Sequence, residues 1–153
     1  VVKAILMATA THNIEGSARL SEYDGAGAIL ADRADDVSRG VNGGWAGRAY
    51  SCSTATNYDV ITMSLVAGVR TRVVITWNNP STYARYTTKP SADLDLPILN
   101  PSGQGVTGSA SWDNNYEIVD FTPSVSGTYK VRVRKLRCDA SPAYLGVAWA
   151  RGS

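Results

Sequence analysis

Two hydrophobic periodicities divide the chain near residue 40. Over residues 1–11 (VVKAILMATAT) the apolar positions crowd round the whole helical wheel, and Val2, Ile5, Leu6 and Met7 leave no polar face. This predicts a helix that belongs against something larger. A loop is expected over 13–27. Residues 28–37 (AILADRADDV) put Ile29, Leu30, Ala34 and Val37 at helical spacing and predict a second, short helix. From Asn42 the period becomes two. Ile61, Met63 and Leu65 alternate with Val60, Thr62 and Ser64, and Val73, Ile75 and Trp77 share one face of the next run. Leu94, Leu96 and Ile98 form another such face, as do Tyr129, Val131 and Val133, then Leu145, Val147 and Trp149. Weaker strands are expected over 45–52, 105–111 and 116–121.

Turn signals such as Ala67-Gly68, Asn100-Pro101-Ser102-Gly103 and Ser126-Gly127 separate these runs. Residues 79–92 are polar, contain two prolines and predict a long loop. Seven or eight short strands without intervening helices predict a mainly β fold, an antiparallel β-sandwich of jelly-roll type. Two short helices precede it. The expected division is a helical segment over 1–40 and a sandwich over 41–153.

Composition agrees with strands joined by tight turns: 14 glycines and only 18% charged residues, below the roughly 25% of an ordinary soluble domain. A net charge of +2 gives no indication of a nucleic-acid or membrane-surface partner. No apolar run approaches the ~18 residues of a membrane span. A first residue of Val rather than Met is what a processed or excised piece would show. The two cysteines, Cys52 and Cys138, cannot make a structural zinc site even with the single histidine, His12. In an oxidising compartment they would form a disulfide, and in a reducing one two buried thiols.

Catalytic chemistry has little to stand on. A serine or cysteine nucleophile needs a base within hydrogen-bond reach, and His12 is the only histidine. There is no Gly-x-Ser-x-Gly elbow. Carboxylates offer more. Asp93 and Asp95 stand two apart on a predicted strand, on one face and about 7 Å apart. Asp113, Asn114, Asn115 and Glu117 gather oxygen-bearing side chains within five positions. Either segment would supply half of a calcium shell, or simply satisfy backbone N–H groups in turns. Lys130, Arg132 and Arg134, with Arg137, read as the solvated face of a half-buried strand. Trp77 and Trp149 read as core, whereas Trp45 and Trp112 lie near turns and would be the aromatic residues of a carbohydrate-binding module.

Residues 1–39 carry a family resemblance. Val2-Lys3-Ala4-Ile5-Leu6-Met7-Ala8-Thr9-Ala10 resembles the Val-Lys-x-x-Leu-x-x-Thr-Ala helix after the nucleophile helix of subtilisin-like serine proteases. Asp24-Gly25-Ala26-Gly27 and the short helix after it are similar to the closing Gly-x-Gly segment and last helix of that catalytic domain. Asp93-Leu94-Asp95-Leu96, Asn100-Pro101-Ser102-Gly103, Asn115-Tyr116-Glu117 and Gly127-Thr128-Tyr129-Lys130-Val131 resemble the β-sandwich domains appended to secreted peptidases. Asn100 stands where those domains usually keep Asp, and Pro97 implies an edge strand or a bulge. The resemblance implies a non-catalytic C-terminal accessory domain of a secreted, extracellular endopeptidase whose catalytic Asp, His and Ser lie upstream. It implies calcium on Asp93, Asp95, Asp113, Asn115 and Glu117. The implied partners are the parent's catalytic domain and protein substrate. The apolar helix is expected to pack on its own sandwich or, by self-association through residues 1–10, on a second copy.

Overall fold

The computed structural model describes residues 1–11, 25–84, 88–142 and 144–152. His12 and most of the 13–27 loop lie outside them. Helix α1 spans Val2–Thr9 and α2 spans Ala31–Ser38. Eight strands follow: β1 (Gly43–Ala49), β2 (Asn57–Leu65), β3 (Thr71–Trp77), β4 (Ala92–Leu99), β5 (Gly105–Ser109), β6 (Tyr116–Phe121), β7 (Gly127–Cys138) and β8 (Tyr144–Arg151). They form two antiparallel four-stranded sheets, ordered β1-β8-β3-β6 and β2-β7-β4-β5. That is the winding of an eight-stranded jelly roll. The inward faces meet in one core, where Trp77, Met63, Leu94, Leu96, Ile98 and Tyr129 are fully buried.

Both helices are shorter than their apolar patterns for local reasons, α1 by ending at Thr9 and α2 by starting at Ala31. Thr11 leaves α1 to exchange backbone hydrogen bonds with Ala28, at 2.8 and 3.1 Å. Ala28 is thereby extended, Leu30 caps α2 with extended backbone, and Ile29 turns outward at 64% exposure. In β2 the register to β7 shifts between Asp59 and Ile61, so Val60 joins Met63 and Leu65 inside. The strand expected over 45–52 runs Gly43–Ala49 instead, and the last strand closes at Arg151. Pro97 does not mark an edge, since β4 lies between β7 and β5. Its missing N–H falls where the ladder to β7 has no pair, between Asp95↔Arg134 and Ile98↔Val131.

The outer face of the first sheet is covered too. Ala4, Ile5 and Ala8 of α1 and Val37 of α2 pack on Val74, Ala148 and Ala150. This covering explains why β3 is buried at every position. Two glycines permit the approach. A Cβ on Gly146 would lie 2.6 Å from the Val1 nitrogen, and one on Gly43 2.2 Å from the Trp149 carbonyl oxygen. Arg72 anchors the helix. It is 1% exposed, forks onto Asp120 with Nε and Nη2 at 3.0–3.1 Å, and donates Nη1 to the Ala10 carbonyl at 3.0 Å. A carbonyl that no helix turn would satisfy thus receives a charged donor. Lys3 adds a second tie, donating to Asn115 Oδ1 at 2.8 Å over the Tyr116 ring.

Cys52, beyond β1, and Cys138, at the end of β7, are disulfide-bonded with Cα atoms 5.5 Å apart. The bond closes 86 positions of sequence.

Candidate functional site

The acidic residues that the sequence singles out fall into two groups. Asp93 and Asp95 project from β4 on the side away from Leu94 and Leu96, as their spacing requires. That side is not open to solvent. Across the ladder, Asp93 faces Arg137 and Asp95 faces Arg134. The loop after β5 lays Trp112 over Arg137, 5.4 Å from the ring centre. Asp93 and Asp95 are consequently buried, at 1% and 3% exposure. Glu117, at the start of β6, is as deeply buried, and its Oε1 accepts the Ser111 N–H at 2.8 Å. Its other oxygen accepts the Ser109 hydroxyl.

Charge in this corner is incompletely compensated. Arg134 gives Nε and Nη2 to one oxygen of Asp95, at 3.0 and 2.6 Å. Asp95 Oδ1 and Asp93 Oδ2 have no partner among the described residues, and neither do Nε and Nη2 of Arg137. Arg137 spends Nη1 on the Pro90 carbonyl and Asp139, at 3.0 and 2.9 Å. Burial pushes the Asp93 carboxyl up, the neighbouring Asp95 charge pushes the same way, and Arg137 opposes both. Burial drives Glu117 up to about 7 against its hydrogen bonds from Ser109 and Ser111, with the charges of Asp95 and Asp93 adding to the rise.

Asp113 and Asn115 sit elsewhere on the same loop. Asp113 is exposed and accepts the Ser111 hydroxyl at 3.3 Å, whereas Asn115 is taken up by Lys3. Both border a polar cleft of about 340 Å³ with Asn79, Lys89 and Pro90. The five candidate ligands therefore do not converge on one point. Among the described residues no cluster of three or more His, Cys, Asp or Glu is arranged to hold a metal ion. The basic residues of β7 lie on its solvated face, with Lys130 and Arg134 exposed and Arg132 half-buried, and they are paired there. Lys130 and Arg132 reach Asp59 at 3.5 and 2.6 Å, and Arg134 pairs with Asp95.

Two further surfaces bear on function. On α1, away from the sheet, Val2, Leu6 and Met7 meet Ile29 round an apolar groove of about 430 Å³. Val2 is 70% exposed. Trp45 and Trp112 are exposed, but Trp45 lies on β1 of the first sheet, whereas Trp112 lies over Arg137 of β7 in the second. Trp45 lies on β1 and donates to the Ser38 carbonyl, and Trp112 leads into β6. The two rings belong to different sheets and do not share one face.

No protein-family model matches the chain, and no curated protein does. Among solved structures, the periplasmic g-type lysozyme inhibitor PliG of Aeromonas hydrophila is similar at a TM-score of 0.47 and 12% identity, covering 74% of this chain and 90% of that one. The acidic stable capsid structure of Helicobacter pylori bacteriophage KHP30 aligns at 0.40 and 12%, over 72% and 89% of the two chains. The SPBc2 prophage-derived protein YomS aligns at 0.37 and 11%, over 71% and 95%. Similarities of this size carry no argument about family or activity.

Proposed function

We propose that the chain is a non-catalytic accessory domain from the C-terminal part of a secreted subtilisin-like serine endopeptidase, one that stabilises the protease or helps it hold protein substrate. The observation that carries this reading is the two-sided character of α1. One side is buried on β3 and β8 through Ala4, Ile5 and Ala8, and the other presents Val2, Leu6 and Met7 beside exposed Ile29. A helix apolar on both sides fits between two bodies, here the sandwich and a catalytic domain upstream. Arg72 and Gly146 support it, because the first ties the end of the helix to the sandwich and the second lets its start come close to β8.

The test is made on the parent protein. It should hydrolyse casein and lose that activity to a serine-directed phosphonate, whereas residues 1–153 alone should do neither. Deleting residues 42–153 should leave an active site but shorten the half-life of the protease on heating. A parent without serine-protease activity would overturn the reading.

Calcium belongs to the proposal in a restricted form. Asp93 and Asp95 offer two oxygens without partners, but Arg134 would have to leave Asp95 to make room for a cation. Thermal unfolding in millimolar calcium should then lie several degrees above the curve in excess chelator. The difference should vanish in Asp95→Asn. Superimposable curves for the parent sequence would remove calcium from the reading.

A further inference from the structure

A cavity of about 450 Å³ opens between α2, the β2–β3 turn and the end of β8, remote from the acidic corner. Its walls combine two chemistries. Arg33 and Arg151 supply guanidinium groups, and Val37, Val66 and Val69 supply an apolar side. The two arginines are brought together by the fold, since Arg33 Nη2 donates to the backbone carbonyl of Arg151 at 3.3 Å. Neither is within ion-pair distance of a carboxylate among the described residues. Arg151 stacks on Trp149, and its buried Nε has no hydrogen-bond partner among the described residues. Asp36 also lines the cavity, but Arg39 holds it at 3.0 Å. Two planar cations therefore share one concavity, and among the described residues only Arg33 Nη2 is given to a hydrogen bond.

We infer that this cavity binds a carboxylate carried next to an apolar side chain, as at the C-terminus of a peptide. A guanidinium presents paired N–H groups that match the two oxygens of a carboxylate, and a second one neutralises the charge repulsion left by the first. Three valines beside them suit an aliphatic side chain and offer nothing to a bare inorganic anion. A volume of 450 Å³ lies in the usual range for small-ligand sites. The inference stands on these residues alone and does not depend on the protease reading.

The experiment follows amide chemical shifts of the 153-residue chain during titration with N-acetyl-leucine, N-acetyl-leucinamide and inorganic phosphate. The acid should saturate and move resonances of Arg33, Val66, Val69 and Arg151. The amide should bind at least tenfold more weakly. Arg33→Gln and Arg151→Gln should each weaken the acid about tenfold, while Arg48→Gln, on exposed β1 surface, should not. Because losing Arg151 also removes its stacking on Trp149, Arg33→Lys serves as the gentler variant. It keeps the charge, loses the fork, and should give an intermediate loss. Equal binding of acid and amide, phosphate binding without the acid, or no saturable shift with the acid would each overturn the inference.

Discussion

Glu117 shows how one residue can set a pH response. Its carboxyl stands at about 7 in the folded protein against an ordinary 4.5, with burial as the main cause. The folded state therefore holds a proton that the unfolded state releases between those values. Stability from this group is highest below pH 4.5, falls as pH rises, and is lowest above 7. Asp93 is displaced in the same direction, again by burial, whereas Asp59 is held below its ordinary range by hydrogen bonding to Arg132 and acts only in more acidic solution. Melting temperatures should consequently rise from pH 8 to pH 5, and Glu117→Gln should flatten that rise, which a pH series of thermal melts will read. The effect is at most about 3 kcal/mol. Sequence alone identified Asp93, Asp95 and Glu117 as unusual but not as buried. Alternation along β4 places two aspartates on one face, and nothing local says that the loop carrying Trp112 folds over it. The buried Arg72 had a fainter signal: a charged residue two positions from Val74 on the same face of a strand.

At the scale of elements, period-two patterning identified every strand to within a few residues. The core faces of β3, β4, β7 and β8 are those the alternation marks. Errors cluster where tertiary contacts override the local pattern: the bulge at Val60, the Thr11–Ala28 bridge that shortens both helices, and Pro97 in an interior strand. The docking of α1 on the first sheet depends on missing side-chain volume, which apolar periodicity does not register. Gly146→Ala would place a methyl group against the backbone of Val1. It should lift the start of α1, destabilise the chain by about 1–3 kcal/mol and raise amide exchange over residues 2–9, while β4 and β7 stay protected. Unchanged exchange in α1 would mean that the helix is held by Arg72 and not by its fit to the sheet.

For the whole molecule, strand number and composition were sufficient for a β-sandwich, and the jelly-roll winding then follows from how eight strands fill two sheets. The cysteines become a bond because the fold brings the ends of β1 and β7 together. Replacing both by serine should cost roughly 2–4 kcal/mol, seen as a lower urea midpoint, since the bond closes a long loop in the unfolded chain. The position of that bond also governs how the protein answers a pull. Strand β1 enters beside the point where β8 leaves, with Gly43 opposite Ala150. Tension between the two ends of the sandwich therefore acts on the β1–β8 ladder one pair at a time, as on a zipper, from Gly43–Ala150 toward Ala49–Tyr144. Just past the last tooth stand Cys52 and Cys138. The tear of β1 stops there, and the covalent path between the two ends then runs through the sulfur bridge and bypasses the stretch that holds β2 to β7.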